Sequence, residues 1–239
     1  MENNKSSLPE LPSERAYRKQ YEQFFAPLGR KIAKMGISAN FVSYLNLIFS
    51  LFTGIAFYLS NNNNYLFIYL ALVLLLISGL FDMIDGSVAR AHKEMKPELA
   101  DSKFGAVLDP AIDRYSEALI VFGIMLSGYV PPEFVLFTFV GMIMASYVRA
   151  RAESLGMKNA SVGIERKEKI GLIVIGALLE GLFIQLTTSG IINVTQYYFV
   201  YISPIGQYLI GPMAIFVLIA GLLSHLSTYQ RLKLAQKYL

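Results

Sequence analysis

The feature that most constrains this chain is a series of apolar stretches, each long enough to cross a bilayer. They lie at Phe41–Ser60, Tyr65–Phe81, Phe104–Gly128, Phe134–Ala150, Ile170–Thr188 and Tyr208–Leu226. A helix needs roughly 20 mostly apolar residues to traverse the hydrocarbon core, where only its own backbone can satisfy its polar groups. Of the 239 residues, 54% are hydrophobic and 16% charged, a balance that excludes an ordinary soluble domain. The expected fold is therefore all-α, an integral membrane protein of six transmembrane helices. An even number of spans puts both termini on one side.

Charge assigns that side, because Lys and Arg accumulate in short cytoplasmic connections. Basic residues crowd the segment before Phe41, the Arg90–Lys103 and Arg149–Lys169 connections and the C-terminal tail, whereas Asn61–Asn64, Tyr129–Glu133 and Ser189–Gln207 hold no Lys or Arg. This pattern predicts a multi-pass protein of the cell membrane with both termini cytoplasmic. The net charge of +4 suits anionic lipid headgroups better than nucleic acid. The absence of Cys excludes a disulfide framework and thiolate-bound metal. Ahead of the spans, Tyr17, Tyr21, Phe24, Phe25, Leu28 and Ile32 recur at helical spacing between basic residues. They predict an amphipathic interfacial helix on the cytoplasmic leaflet, a docking helix being the alternative. Residues 1–34 form this tail and helix, and residues 35–239 form the membrane domain.

Carboxylates are costly near the hydrocarbon layer and mark function when they gather there. Four do so here. Asp82 and Asp85 stand three residues apart at the end of the second stretch, and Asp109 and Asp113 stand four apart at the start of the third. Each pair shares a helix face, and an antiparallel arrangement across one connection brings the pairs together at the cytoplasmic boundary. Four close negative charges repel one another, and divalent cations remove that objection. All-oxygen ligation suits Mg2+ or Mn2+, with room for two ions about 3.5–4 Å apart.

The segments Asp82-Met-Ile-Asp85-Gly86-Ser-Val-Ala89-Arg90 and Gly105-Ala-Val-Leu-Asp109-Pro-Ala-Ile-Asp113 resemble the signature of the CDP-alcohol phosphotransferases, D-x-x-D-G-x-x-A-R followed by G-x-x-x-D-x-x-x-D. All eight fixed residues are present. The resemblance implies that Asp82, Asp85, Asp109 and Asp113 ligate metal and that Asp113 is the general base toward an acceptor hydroxyl. It further implies contacts of Gly86, Arg90, Ser102 and Gly105 with a CDP-linked lipid, and a homodimer. Asn40 and Ser43 resemble a second nucleotide-contacting segment of the family, with Ala39 in place of its proline. Read alone, the glycines could serve helix packing and Arg90 could reach the headgroups. Glu117, Glu180 and His225 receive no catalytic role.

A second cluster, Arg149-Ala-Arg151-Ala-Glu153 with Glu165-Arg166-Lys167-Glu168-Lys169, resembles the branch of this family that acts on inositol phosphate. Arg149, Arg151 and Arg166 are the candidates for holding the acceptor's phosphate, since guanidinium offers it paired donors. Topology alone could also place them there, and Arg149 with Glu153 fits an ordinary i,i+4 pair. Glycerol phosphate or serine is the alternative acceptor, and a cation transporter is the alternative of another class. The linker Ala91–Phe104, fourteen residues long, exceeds the family's usual spacer. Trimming several residues from 92–98 while keeping Ser102 and Gly105 should leave activity measurable; complete loss in a folded, membrane-inserted variant would make the linker part of the site.

Overall fold

A computed structural model describes residues 24–61, 64–95, 103–157, 162–191, 199–204 and 206–238. Ser102, the first two positions of the N-terminal amphipathic pattern (Tyr17 and Tyr21) and the middle of the long linker lie outside the described residues. Helix α1 covers residues 24–34. It is followed by α2 (Ala39–Leu59), α3 (Tyr65–Met95), α4 (Lys103–Ser127), α5 (Pro132–Ser154), α6 (Arg166–Thr188), strands β1 (Phe199–Ile202) and β2 (Gln207–Ile210), and α7 (Pro212–Tyr238).

Among the described residues, five helices are long and apolar enough to cross a membrane: α2, α3, α5, α6 and α7. Helix α4 has 25 residues, but any window of 18 residues within it holds Asp113, Arg114 and Glu117. The third expected span is therefore a helix whose first half is given over to charge. Large apolar side chains face outward along the others; on α3, Leu66, Val73 and Leu76 are each more than half exposed. Such a surface is untenable in water and natural in lipid.

The helices form two groups. Helices α3 and α4 each pack along α2 rather than along each other, and α5 and α6 each pack along α7. Contacts of α3 with α6 and of α4 with α5 join the groups. In lipid, close backbone approach and interhelical hydrogen bonds replace the hydrophobic drive. Helices α2 and α4 cross at Gly54 and Gly123, where a Cβ on either would overlap the other's backbone. Polar side chains fasten α2 to α3: Ser78 Oγ donates to Asn46 Oδ1 at 2.6 Å and lies 2.8 Å from Ser50 Oγ. Thr138 of α5 donates to the Val217 carbonyl of α7 at 2.8 Å. Buried Glu180 accepts the Met213 N–H at 3.0 Å, so this carboxylate caps the first turn of α7. His225 lies against the ring of Phe137, with Nε2 3.0 Å from that residue's carbonyl oxygen.

Three details refine the expected helical fold. A short hairpin interrupts it, in which β1 and β2 pair antiparallel with Phe199 opposite Ile210. The segment 199–210 is rich in Phe, Val, Ile and Tyr, which suit a strand once a turn closes it. Beyond the apolar stretch that ends at Phe81, helix α3 continues to Met95, so the first carboxylate pair sits inside a rigid helix, as its spacing predicts, and the linker's first charged residues form its last turns. Helix α1 docks rather than lying free: a Cβ on Gly29 would meet the Ser87 backbone at 2.7 Å, and Ala33 joins Val42, Val88 and Ala91 in a small core. Phe24 and Leu28 nevertheless remain exposed.

The Gly54–Gly123 crossing generates a direct test. Gly123→Ala should destabilise the protein by about 1–3 kcal/mol through overpacking, whereas Gly79→Ala, whose Cβ would meet nothing within 4 Å, should be neutral or better. Unfolding in detergent, followed side by side for the two variants, reads the difference; equal midpoints would contradict the packing described here.

Candidate active site

The signature residues sit where α3, α4 and the start of α6 meet, with α2 alongside. On α3 the two carboxylates point to different partners. Asp85 is 6% exposed and accepts a hydrogen bond from Ser43 Oγ of α2 at 2.8 Å. Asp82 faces α6 instead, its Oδ1 lying 2.7 Å from Arg166 Nη1. On α4, Asp109, Asp113 and Glu117 follow one another at intervals of four and so share a face. Asp113 Oδ1 lies 2.5 Å from the same Arg166 Nη1. Asp85 and Asp109 lie within electrostatic reach of Asp82 and are repelled by it, so all four aspartates belong to one cluster.

Arg166 is therefore the hub. It opens α6, where the helix dipole disfavours a cation by about 0.3–1 kcal/mol. Asp82 and Asp113 offset that cost, as does Glu117, whose Oε1 lies 3.0 Å from Arg166 Nε. Glu117 is 2% exposed and its other oxygen lies 2.9 Å from Arg114 Nη1. Arg114 also donates to Ser146 Oγ, tying α4 to α5. Lys169, one turn along α6, is buried beside this network and interacts electrostatically with Glu117, Arg114 and Arg231. Arg231 has a structural task, donating to the carbonyls of Val162 and Ala145.

Among the described residues, no three acidic or histidine side chains converge closely enough to ligate one ion. A guanidinium nitrogen stands between Asp82 and Asp113, where the cluster requires positive charge. The donor set, four carboxylates and the Ser43 hydroxyl, is all oxygen and fits a hard divalent cation. Gly86 fits a ligand approaching from the same side. A Cβ there would meet only the end of Arg90, at 3.5 Å, so protein packing does not demand the glycine. Arg90 is exposed and donates to Ser87 Oγ at 3.2 Å. Gly105 lies in the first turn of α4, and Asn40 is half-buried in the first turn of α2.

The acceptor candidates divide. Arg166 stands within the carboxylate cluster, but Arg149 and Arg151 are exposed on α5, and Arg149 is taken up by Glu153 at 3.0 Å. The i,i+4 pairing weighed from sequence is the one the structure adopts, because a solvated carboxylate one turn away is the nearer partner. Sequence reasoning also left Glu117 without a task. The signal was present, since Glu117 continues the four-residue rhythm of Asp109 and Asp113, but its partner Arg166 lies 49 positions further along the chain.

Removing the hub gives a prediction that needs no substrate. Arg166→Ala should lower the stability of metal-free protein by about 2–3 kcal/mol, less than the full cost of orphaning buried charges because the aspartates are roughly a fifth exposed. Added Mg2+ should then raise the variant's thermal midpoint more than the wild type's, since the ion takes over the guanidinium's task. A smaller Mg2+ effect on the variant would separate Arg166 from the cation site.

Comparison with known proteins agrees with this geometry. The archaetidylinositol phosphate synthase of Pyrococcus horikoshii is 36% identical over 162 residues, 67% of this chain and 80% of that protein. The fold matches that of the phosphatidylinositol phosphate synthase of Mycobacterium tuberculosis, solved with manganese and citrate, at a TM-score of 0.64 and 21% identity, covering 89% of this chain and 88% of that one. The same enzyme solved with CDP-DAG bound gives a TM-score of 0.61 at 22% identity, covering 89% and 94%. The family model for CDP-alcohol phosphatidyltransferase matches residues 36–208, which contain every aspartate of the cluster, and the chain belongs to that family of membrane transferases.

Proposed function

We propose that this transferase moves a phosphatidyl- or archaetidyl-type group from a CDP-linked lipid onto inositol phosphate and releases CMP. The observation that carries the acceptor is Arg166, a cation only 20% exposed, touching Asp82 and Asp113 with Lys169 one turn away. Serine would leave such charge without a partner, whereas a phosphate accepts charge-assisted hydrogen bonds from it. The archaetidylinositol and phosphatidylinositol phosphate synthases among the relatives support the same acceptor.

In this reading α4 makes the sixth span beside the five apolar helices, an even count that leaves both termini and the site cytoplasmic, with α1 at the inner leaflet. Residues 1–34 form the tail and entry helix of the membrane domain at 35–239. The donor's tails lie between helices in lipid while the CDP group rests over α3 at Gly86 and Arg90, with Asn40, Ser43, Ser102 and Gly105 bordering it. Asp82, Asp85, Asp109 and Asp113 would hold Mg2+ or Mn2+, in one or two ions, which supplies positive charge to the diphosphate as its bond breaks. Asp113 takes the proton from the acceptor hydroxyl, whose oxygen bonds to the lipid-linked phosphorus. The bond from that phosphorus to the oxygen of the CMP phosphate breaks, and CMP leaves with the electron pair. The family resemblance adds a homodimer.

Turnover measured as CMP release tests this reading. The wild type should prefer inositol phosphate over free inositol, glycerol phosphate and serine, and Asp113→Asn should abolish turnover. Arg166→Ala should raise the acceptor KM about ten- to a hundred-fold, the worth of one charge-assisted contact, with the CDP-lipid KM little changed. Arg149→Ala should stay within about threefold, as expected for an exposed pair. Preference for an unphosphorylated alcohol would overturn the acceptor, and preference for glycerol phosphate would move the enzyme to another branch.

A further inference from the structure

The mechanism leaves one buried acid unused. Glu117 is 2% exposed, lies on α4 one turn beyond Asp113, and is not one of the signature aspartates. Its two oxygens are divided between two cations on different elements: Oε2 lies 2.9 Å from Arg114 Nη1 of its own helix, and Oε1 lies 3.0 Å from Arg166 Nε at the start of α6. A carboxylate so deep is retained only where its charge is matched, and here the matching cations flank the site.

Arg166 meets its acidic partners through two edges. Nη1 meets Asp82 and Asp113, whereas Nε meets Glu117. On the reading given above, Asp82 and Asp113 are the carboxylates that turn to a divalent cation. They then cease to restrain Arg166, whose long side chain would otherwise leave the site for solvent. Glu117 lies against Arg114, which is tied to Ser146 of α5 and also stands 3.8 Å from Asp113, so this acid keeps a second cation beside it when Asp82 and Asp113 turn away.

We propose that Glu117 is a positioning residue for the acceptor: its charge, 3.0 Å from Arg166 Nε, holds that edge so that the Nη edge, released by Asp82 and Asp113, is presented to the acceptor's phosphate. The inference rests on the phosphorylated-acceptor reading, and it requires that Glu117 act through Arg166. Glu117 does not touch the substrate. Its charge fixes the direction of a guanidinium whose planar fork is useful only when correctly aimed.

A double-mutant cycle on Glu117→Gln and Arg166→Ala in the full-length enzyme tests this, with steady-state kinetics for both substrates and binding of inositol phosphate to the Mg2+-loaded protein by calorimetry. Glu117→Gln should raise the acceptor KM about tenfold and weaken inositol phosphate binding in parallel, with the CDP-lipid KM unchanged. The double variant should be no worse than Arg166→Ala alone, because the acid has nothing left to aim. Additive losses, or donor and acceptor KM rising together, would make Glu117 a structural residue and overturn the proposal. An effect of Glu117→Gln on top of an inert Arg166→Ala would overturn it as well, while an inert Arg166→Ala by itself removes the acceptor role given to Arg166. Should the amide variant fail to insert, Glu117→Asp keeps the buried charge but draws it back by one methylene. That variant should raise the acceptor KM several-fold without moving the donor KM, and an unchanged acceptor KM would overturn the proposal.

Discussion

The arrangement depends on the balance of charge between one guanidinium and the carboxylates of two helices that do not pack on each other. Asp82 on α3 and Asp113 on α4 repel each other, and their helices pack on α2 rather than on each other. Arg166 Nη1 reaches both, and so links α6, and with it the second group of helices, to the carboxylate end of the first. In the proposed reading the same contact assembles three chemistries at one place: carboxylates for a cation, a cation for a phosphate, and the open side of α3 at Gly86.

The rest of the fold holds that face steady. The crossing at Gly54 and Gly123 and the Asn46–Ser50–Ser78 network fix α2 against α4 and α3 within the membrane, toward the outer side of the carboxylates. Because α3 is one helix from Tyr65 to Met95, any shift in its apolar half would be carried directly to Asp82 and Asp85. Polar groups in the apolar layer make helix-to-helix contacts, whereas those at the carboxylate end gather opposite charges around the aspartates. Glu180 illustrates the first use and Glu117 the second. Both are buried acids, but one caps the start of α7 and the other faces two arginines beside the aspartates.

Much of this was legible in the sequence. Apolar length identified the membrane helices, and the i,i+3 and i,i+4 spacings of Asp82, Asp85, Asp109 and Asp113 announced shared faces. What eluded the reading has physical causes. Apolar length alone does not distinguish α4, which carries Asp109, Asp113, Arg114 and Glu117, from the five apolar helices. A short hairpin of Phe, Val, Ile and Tyr between membrane helices carries the same apolar signal as the helices around it, so its residues up to Gln207 were read as connection and those from Tyr208 as the start of the last span. Local spacing shows which residues share a helix but not which neighbouring helix they meet. Hence Arg149, Arg151 and Arg166 all stood as candidates, although one pairs with Glu153 in solvent and another occupies the aspartate cluster.

The central claim is that the four aspartates form a divalent-cation site in which the ion replaces the guanidinium between Asp82 and Asp113. Anomalous diffraction from crystals grown with Mn2+ tests it most directly, because it locates the ion independently of the protein atoms. The account predicts a manganese peak bounded by Asp82, Asp85, Asp109 and Asp113, with Arg166 withdrawn from Asp82 and Asp113 yet still against Glu117. A manganese peak elsewhere, or Arg166 still bridging the two aspartates in fully loaded protein, would contradict it.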